Sequence, residues 1–249
     1  MSEIIKGSHA AFVNLDHRKD RLAKMEAELD RVGIDAVRQP GYLPKDCHYT
    51  ESWVRRMRNR TPGAIGCWRS QVEIMSKAWG DSSHPQHAFV MEDDLVFCDD
   101  FEDRMQIVDE FLEGRKWDVL WLGGTFHVNP PYWHKPKDAE RTDHPRFMRT
   151  FGAFSTHAYI VNKSSLPRVM TLLDEYIPIS DGIDHAFIQF QKQIQCFAFV
   201  PGCVIQYDNQ SDIGNGMTHF SGFKKLGPYW FQRKMEEFNP EAFDWKEAK

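Results

Sequence analysis

Apolar positions along the chain follow two rhythms that take turns. Residues 10–14 make a short run of the kind a buried strand carries, and residues 18–32 follow at once with Leu22, Met25, Leu29 and Val32 at steps of three and four. That spacing lies on one helical face, and Gly33 just beyond it ends the helix. Residues 35–39 fit a short second strand. The strongest helical stripe is Ile65, Trp68, Val72, Met75 and Trp79. A strand at 87–91 runs into three acids, an extended piece at 95–97 follows, and Phe101, Met105, Val108 and Leu112 mark a helix over 101–112. Further strands are expected at 117–122, 154–161, 196–200 and 204–207, with a helix capped by Ser164 or Ser165 ahead of Pro167 and a short one at 184–191. Alternating strands and helices predict an α/β domain with a mostly parallel central sheet.

Two stretches depart from the rhythm. Residues 125–150 are rich in Pro, His and charge and predict a long loop, either a functional lid or a partly disordered segment. Tyr132 and Trp133 within it could stack on a sugar or pack on the core; His127, His134 and His144 lack ligand-like spacing. Residues 229–249 predict a helical tail, which leaves 1–228 as one domain. A basic run, Arg55, Arg56, Arg58 and Arg60, fits either an anionic partner or a solvated helical face.

Composition narrows the class. The net charge of −5 gives no overall reason to expect nucleic acid or an anionic membrane as partner. The five cysteines are odd in number and no two have CxxC spacing, which argues for reduced thiols in the cytosol rather than a disulfide framework or a zinc site. No apolar run approaches membrane-spanning length, and no secretory signal is expected at the start.

The chemistry concentrates at Glu92, Asp93 and Asp94, where the apolar strand ending at Met91 stops. Ligands of open α/β sheets bind outside the carboxyl ends of strands. Carboxylates there are hard oxygen donors suited to Mn²⁺ or Mg²⁺, and a dication would relieve their mutual repulsion. A solvated acidic turn is the alternative. On these acids alone a nucleotidyltransferase or a phosphatase fits as well as a sugar transferase.

Several segments in order resemble glycosyltransferase family 25. They are Phe12-Val13-Asn14-Leu15-Asp16 followed by Arg18, Asp20 and Arg21; Gly63-Ala64-Ile65-Gly66-Cys67 followed by Ser70; Phe89-Val90-Met91-Glu92-Asp93-Asp94; Trp117-Asp118-Val119-Leu120 with Leu122-Gly123-Gly124; Gly152 to Val161 with His157-Ala158-Tyr159; Asp184; and Ser211-Asp212-Ile213. Together they span about residues 10 to 215. The resemblance implies a GT-A-type fold and an inverting, metal-dependent transfer of a hexose, galactose by family habit, from a UDP-sugar to a hydroxyl of a glycan or other acceptor. One position departs from the family's pattern: Gln71 stands where a histidine usually follows the serine. It keeps hydrogen-bonding capacity but cannot carry a proton near neutral pH.

Carried onto these positions, the resemblance assigns Asp94 and Glu92 to the metal, and Glu92 and Asp93 to metal or ribose; His219 would complete the metal site or be a solvated loop histidine. Asn14, Leu15 and Asp16 would meet base and ribose, and Arg18 and Arg21 would meet the diphosphate or belong to a solvated first turn. Ser70 would touch the donor or hold local backbone. Gly124, beside Gly123, would allow close approach of the backbone or make a plain turn. Asp212 would hold a donor hydroxyl or organise its loop. Inversion needs a base for the acceptor hydroxyl; Asp184 is the candidate and Asp181 the reserve, the alternative for Asp184 being a helix cap. Two other functions stay open: a sugar-nucleotide hydrolase or nucleotidyltransferase using the same acids, and a family member that binds UDP-sugar without turning it over.

Overall fold

The computed structural model describes residues 1–47, 62–80, 86–129, 132–136, 138–180, 182–207 and 232–234. The elements are α1 (Glu3–Lys6), β1 (Ser8–Asn14), α2 (Lys19–Val32), β2 (Val37–Pro40), α3 (Pro62–Trp79), β3 (His87–Glu92), β4 (Leu95–Phe97), α4 (Phe101–Leu112) and β5 (Val119–Asn129). There follow β6 (Tyr132–Pro136), β7 (Ala139–Arg141), β8 (Phe147–Thr150), β9 (Phe154–Val161), α5 (Leu166–Tyr176), α6 (Ile183–Phe190), β10 (Cys196–Phe199), β11 (Val204–Gln206) and β12 (Gln232–Lys234).

The main sheet runs β2-β1-β3-β9-β5-β10-β8-β7. Strands β2, β1, β3, β5 and β10 share one direction, and β9 is inserted antiparallel between β3 and β5. This is the mostly parallel α/β sheet that the alternation of elements predicts. Its pleat sends neighbouring residues to opposite cores. Ala88 and Val90 face α3, α5 and α6 together with Met75, Leu173 and Phe187. Phe89 and Met91 face α2 and α4 with Met25, Leu29, Met105 and Val108. Strands buried on both faces read as continuous apolar runs for this reason.

Helix α2 ends as its glycine predicts. Gly33 is left-handed at φ 69°, and the amides of Gly33 and Ile34 close on the carbonyls of Asp30 and Leu29 at 3.2 and 3.0 Å. At the start of α5, Ser165 occupies the N-cap position without capping through its side chain. Its hydroxyl donates instead to Asp118 Oδ1 at 2.5 Å, and Asp118 Oδ2 accepts from the amide of Gln195 at 2.6 Å.

Residues 125–150 correct the expectation of a long loop. Strand β5 continues to Asn129, β6 folds back on it across a register shift, and β8 pairs with both β10 and β7. The run looks polar because β7 is a mostly exposed edge, while Phe147 and Met148 of β8 are buried. In the expected helical tail, Gln232–Lys234 form β12, antiparallel to β5; a strand there completes a ladder that β5 leaves open. The basic run at 55–60 and the rest of the tail lie outside the described residues. Among the described residues, no helix is long and apolar enough to cross a membrane.

Candidate functional site

Parallel strands β1 and β3 stop side by side, with Val13 opposite Glu92. Their carboxyl ends therefore deliver Asn14 on one strand and Glu92, Asp93 and Asp94 on the next to a single edge of the sheet. Asn14, Asp93 and Asp94 are buried there.

Asp93 faces inward. Its Oδ2 accepts from Asn14 Nδ2 at 2.6 Å and its Oδ1 from Arg21 Nη1 at 2.8 Å. Arg21 reaches this point from the first turn of α2, four residues before Met25 and eight before Leu29, on the buried face of that helix. The same nitrogen stands 3.3 Å from Asp94 Oδ2. Burial pushes the Asp93 carboxyl above the ordinary range, against the pull of Arg21 and Asn14. Arg38 on β2 fixes Asn14 in turn. Its Nε donates to Asn14 Oδ1 at 2.9 Å, and its Nη2 donates to Asn14 O at 3.2 Å and to Asp16 Oδ1 at 2.5 Å. Asn14, Arg21 and Arg38 thus form a polar lock around Asp93.

Glu92 and Asp94 share a different partner. Gln206, the last residue of β11, donates through Nε2 to Asp94 Oδ1 at 3.0 Å and to Glu92 Oε2 at 3.4 Å. The ladder between β4 and β11 holds it there, and the amide of Tyr207 closes on Asp94 O at 3.0 Å. On its other side Glu92 Oε1 accepts from Gln71 Nε2 at 3.2 Å. Gln71 is fully buried. Its Nε2 also donates to Thr156 Oγ1 at 3.1 Å, and its Oε1 accepts from Tyr159 at 2.9 Å. Desolvation, and then repulsion from Asp94, Asp93 and Asp184, pushes the Glu92 carboxyl up to about 8. The Asp184 carboxylate therefore stands close enough to be felt at Glu92. It lies in the first turn of α6, behind the N-cap Gly182, and accepts from the His185 amide at 2.8 Å. Gly182 takes the N-cap position itself, while the Asp184 carboxylate satisfies one of the free amides of the first turn.

The β5–β9 pairing shifts register beside this network, around Gly123. Ser155, next to Thr156, sits at φ 64°, a conformation an L-residue holds only when its surroundings impose it. Its hydroxyl lies 2.9 Å from Thr125 Oγ1. At Gly123 any Cβ would come within 2.5 Å of His157 Nε2 and of the Val204 carbonyl, so this glycine is a packing requirement. Gly124 continues β5 and is buried.

The remaining expected residues divide. Ser70 is fully buried and serves backbone: its hydroxyl donates to Gly66 O at 2.7 Å and accepts from the Tyr42 amide at 2.9 Å. Of its two readings, the local one describes this geometry. Leu15 sits against Gly41, where a Cβ would meet Leu15 Cδ2 at 2.8 Å. Arg18 pairs with Asp20 at 3.0 Å, and Asp16 is exposed beside Arg38. Asp181, Asp212 and His219 lie outside the described residues. Sequence reasoning passed over Arg38, Gln206 and Thr156. Arg38 had a signal, a cation on a strand expected to flank β1; Thr156 lies inside the Gly152 to Val161 segment, and Gln206 had none.

Among the described residues, no group of three or more His, Cys, Asp or Glu side chains is arranged to hold a metal ion. The donor set nevertheless fits a divalent cation bound partly through substrate. Glu92 and Asp94 offer carboxylate oxygens on either side of one amide nitrogen, and Mg²⁺-type ions commonly take one or two carboxylates and complete their shell with phosphates and water.

No family model matches the chain. A curated protein from Aedes aegypti named a glycosyltransferase 25 family member is 28% identical over 129 residues, 47% of this chain and 21% of that protein. The chain thus spans about a fifth of the length of this relative. Among solved structures, a glycosyltransferase involved in glycosylation of the major capsid of PBCV-1 aligns over 77% of this chain and 81% of its own, at 12% identity and a TM-score of 0.40. The UTP-bound UGPase of Acinetobacter baumannii aligns over 73% of this chain and 59% of its own, at 11% identity and a TM-score of 0.37.

Proposed function

We propose that the chain is an inverting glycosyltransferase that moves a hexose, galactose in the first instance, from a UDP-sugar to a hydroxyl of a glycan or other acceptor. The observation that carries the reading is the pairing of Glu92 and Asp94 at the carboxyl edge between β1 and β3, with Asp93 turned inward to hold them there. The ordered motifs supply the chemistry that such an edge would serve.

In this reading Glu92 and Asp94, with His219, hold Mn²⁺ or Mg²⁺, which when bound neutralises the diphosphate as it leaves. Asn14, Leu15 and Asp16 border the place for base and ribose, Arg18 the diphosphate side, and Asp212 a donor hydroxyl; Arg21, given to the diphosphate by the resemblance, instead holds Asp93 and Asp94 from within. Asp184 takes the proton of the acceptor hydroxyl while that oxygen forms its bond to the anomeric carbon and the bond to UDP breaks. Asp181 is the reserve base. Two features favour Asp184: it is half-buried at a helix start, and its charge is felt at Glu92. Gln71 cannot relay a proton; it orients Glu92 by hydrogen bonding. The compartment we propose is the cytosol, in keeping with five unpaired cysteines.

A panel of nucleotide sugars, each incubated with Mn²⁺ and followed for release of free sugar, tests the donor assignment without knowledge of the acceptor. Slow, metal-dependent cleavage of one UDP-hexose above the others is expected. Cleavage of none, or pyrophosphate release from a nucleoside triphosphate with a sugar phosphate instead, would move the function to another class.

A further inference from the structure

One pair of side chains outside the acid cluster is set up for chemistry of its own. The β4–β11 ladder pairs Leu95 with Gln206, Val96 with Ile205 and Phe97 with Val204. One step further in the same register stand Cys98 and Cys203, and the Cys98 amide donates to the Cys203 carbonyl at 2.9 Å. This is the one ladder bond the two residues share, since the Cys203 amide turns to the Leu122 carbonyl at 2.7 Å. Residues opposed across a ladder are the places where a disulfide, whose Cα atoms stand about 4.4–6.8 Å apart, can close with little backbone movement.

Their surroundings differ in a useful way. Cys203 is fully buried and its thiol is raised by desolvation, whereas Cys98 is only partly buried. The hydrogen bond from Cys203, and then the nearby Arg104 guanidinium, hold the Cys98 thiol below its ordinary value. Arg104 is anchored by Asp100 at 2.8 Å and by the carbonyls of Pro201 and Gly202 at 3.0 Å each, so it ties the Cys203 loop to the start of α4. A reachable thiol with a lowered proton affinity beside a sheltered partner is the arrangement of an attacking and a resolving cysteine. Cys47, Cys67 and Cys196 have no such partner among the described residues.

The geometry points to Cys98 and Cys203 as a reversible dithiol–disulfide pair that tethers β4 to β11 at the end opposite Asp94 and Gln206. The oxidant is a low-molecular-weight disulfide such as glutathione disulfide. The Cys98 thiolate attacks one of its sulfurs, forms a mixed disulfide and expels one glutathione thiolate. The Cys203 sulfur then attacks the Cys98 sulfur and displaces the second glutathione. Two protein thiols are oxidised, one small disulfide is reduced to two thiols, and the two cysteine protons pass to the leaving sulfurs. The pairing does not depend on which substrate the acid cluster serves.

Incubation of the wild-type chain with glutathione disulfide, followed by alkylation and non-reducing peptide mapping, tests it. A peptide linked through Cys98 and Cys203 is expected, with loss of alkylation at both sites and recovery after dithiothreitol. Cys203→Ser should stop at a glutathione adduct on Cys98, and Cys98→Ser should leave Cys203 unmodified. Amides of residues 95–97 and 204–206 should exchange hydrogen more slowly in the oxidised wild type. A wild-type chain that keeps glutathione on Cys98 without a link, or that does not react there, overturns the pairing. A link that leaves exchange in the ladder unchanged overturns the tether. Both decisive results come from the wild type, so a variant that fails to fold does not affect them.

Discussion

Replacing Arg21 by glutamine would isolate what a single buried cation does for the acid cluster. Its side chain is 9% exposed, those of Asp93 and Asp94 are 8% and 7% exposed, and one of its nitrogens serves both carboxylates. Breaking a buried pair by removing one partner costs about 3–5 kcal/mol, because the other charge stays buried. In a domain of this size that lowers the melting temperature by roughly 6–20 °C, at about 2–4 °C per kcal/mol. Urea unfolding at pH 7.5 should show the midpoint falling with an unchanged slope. Burial already raises the Asp93 carboxyl, and loss of Arg21 would raise it further. A carboxyl whose folded value lies above its unfolded one binds protons preferentially in the folded state, so the deficit should shrink as the pH falls. Adding Asp93→Asn to the variant should recover a large part of the loss. A deficit under about 1 kcal/mol, or additive effects of the two substitutions, would refute the reasoning.

Three further outcomes follow from the same geometry. Gly66→Ala puts a Cβ 2.2 Å from the Tyr42 carbonyl, a backbone atom, and should cost at least the 1–3 kcal/mol of ordinary overpacking by urea unfolding; a neutral result would mean that the segment around Tyr42 is not docked on α3. His87 is held down to about 4 by burial, and then by Lys163, from an ordinary 6.5. The unfolded chain therefore takes up that proton first, and stability that is full above pH 6.5 drains as the pH falls toward 4. Between pH 7 and 5 the wild type should lose about 2 kcal/mol more than His87→Gln, read from parallel urea curves. Asp184→Asn should lower transfer about 10²–10⁴-fold while leaving the affinity for UDP unchanged, measured by turnover beside calorimetric titration; a matching loss of affinity would make Asp184 a donor ligand instead of the base.

What was legible in the sequence has a physical pattern. Strands β1, β3, β5 and β9 and helices α2 to α4 announced themselves because burial imposes a strict period on apolar residues. Asn14 and the acids were found because they stand where such runs stop. The division of work among the acids was not legible. Asp93 turns inward because Arg21 lies on the buried face of α2, and a helical stripe scored by apolar residues alone passes over an arginine at position i−4 from Met25. Gln206 is about 110 residues from Asp94 and meets it only because β11 pairs with β4. The hairpin strands within 125–150 were hidden by their own edge position, since exposed edge strands carry the polar residues and prolines that a loop carries.

The proposed transfer requires Glu92 and Asp94 to hold a metal–diphosphate complex, and calorimetric titration of UDP tests this most directly. The wild type should bind UDP in the presence of Mn²⁺ and lose that binding when the metal is chelated. Asp94→Asn should remove the metal-dependent part, and Asp184→Asn should retain it. UDP binding that is absent with Mn²⁺ present, or that is equally strong in wild type and Asp94→Asn, would contradict the account.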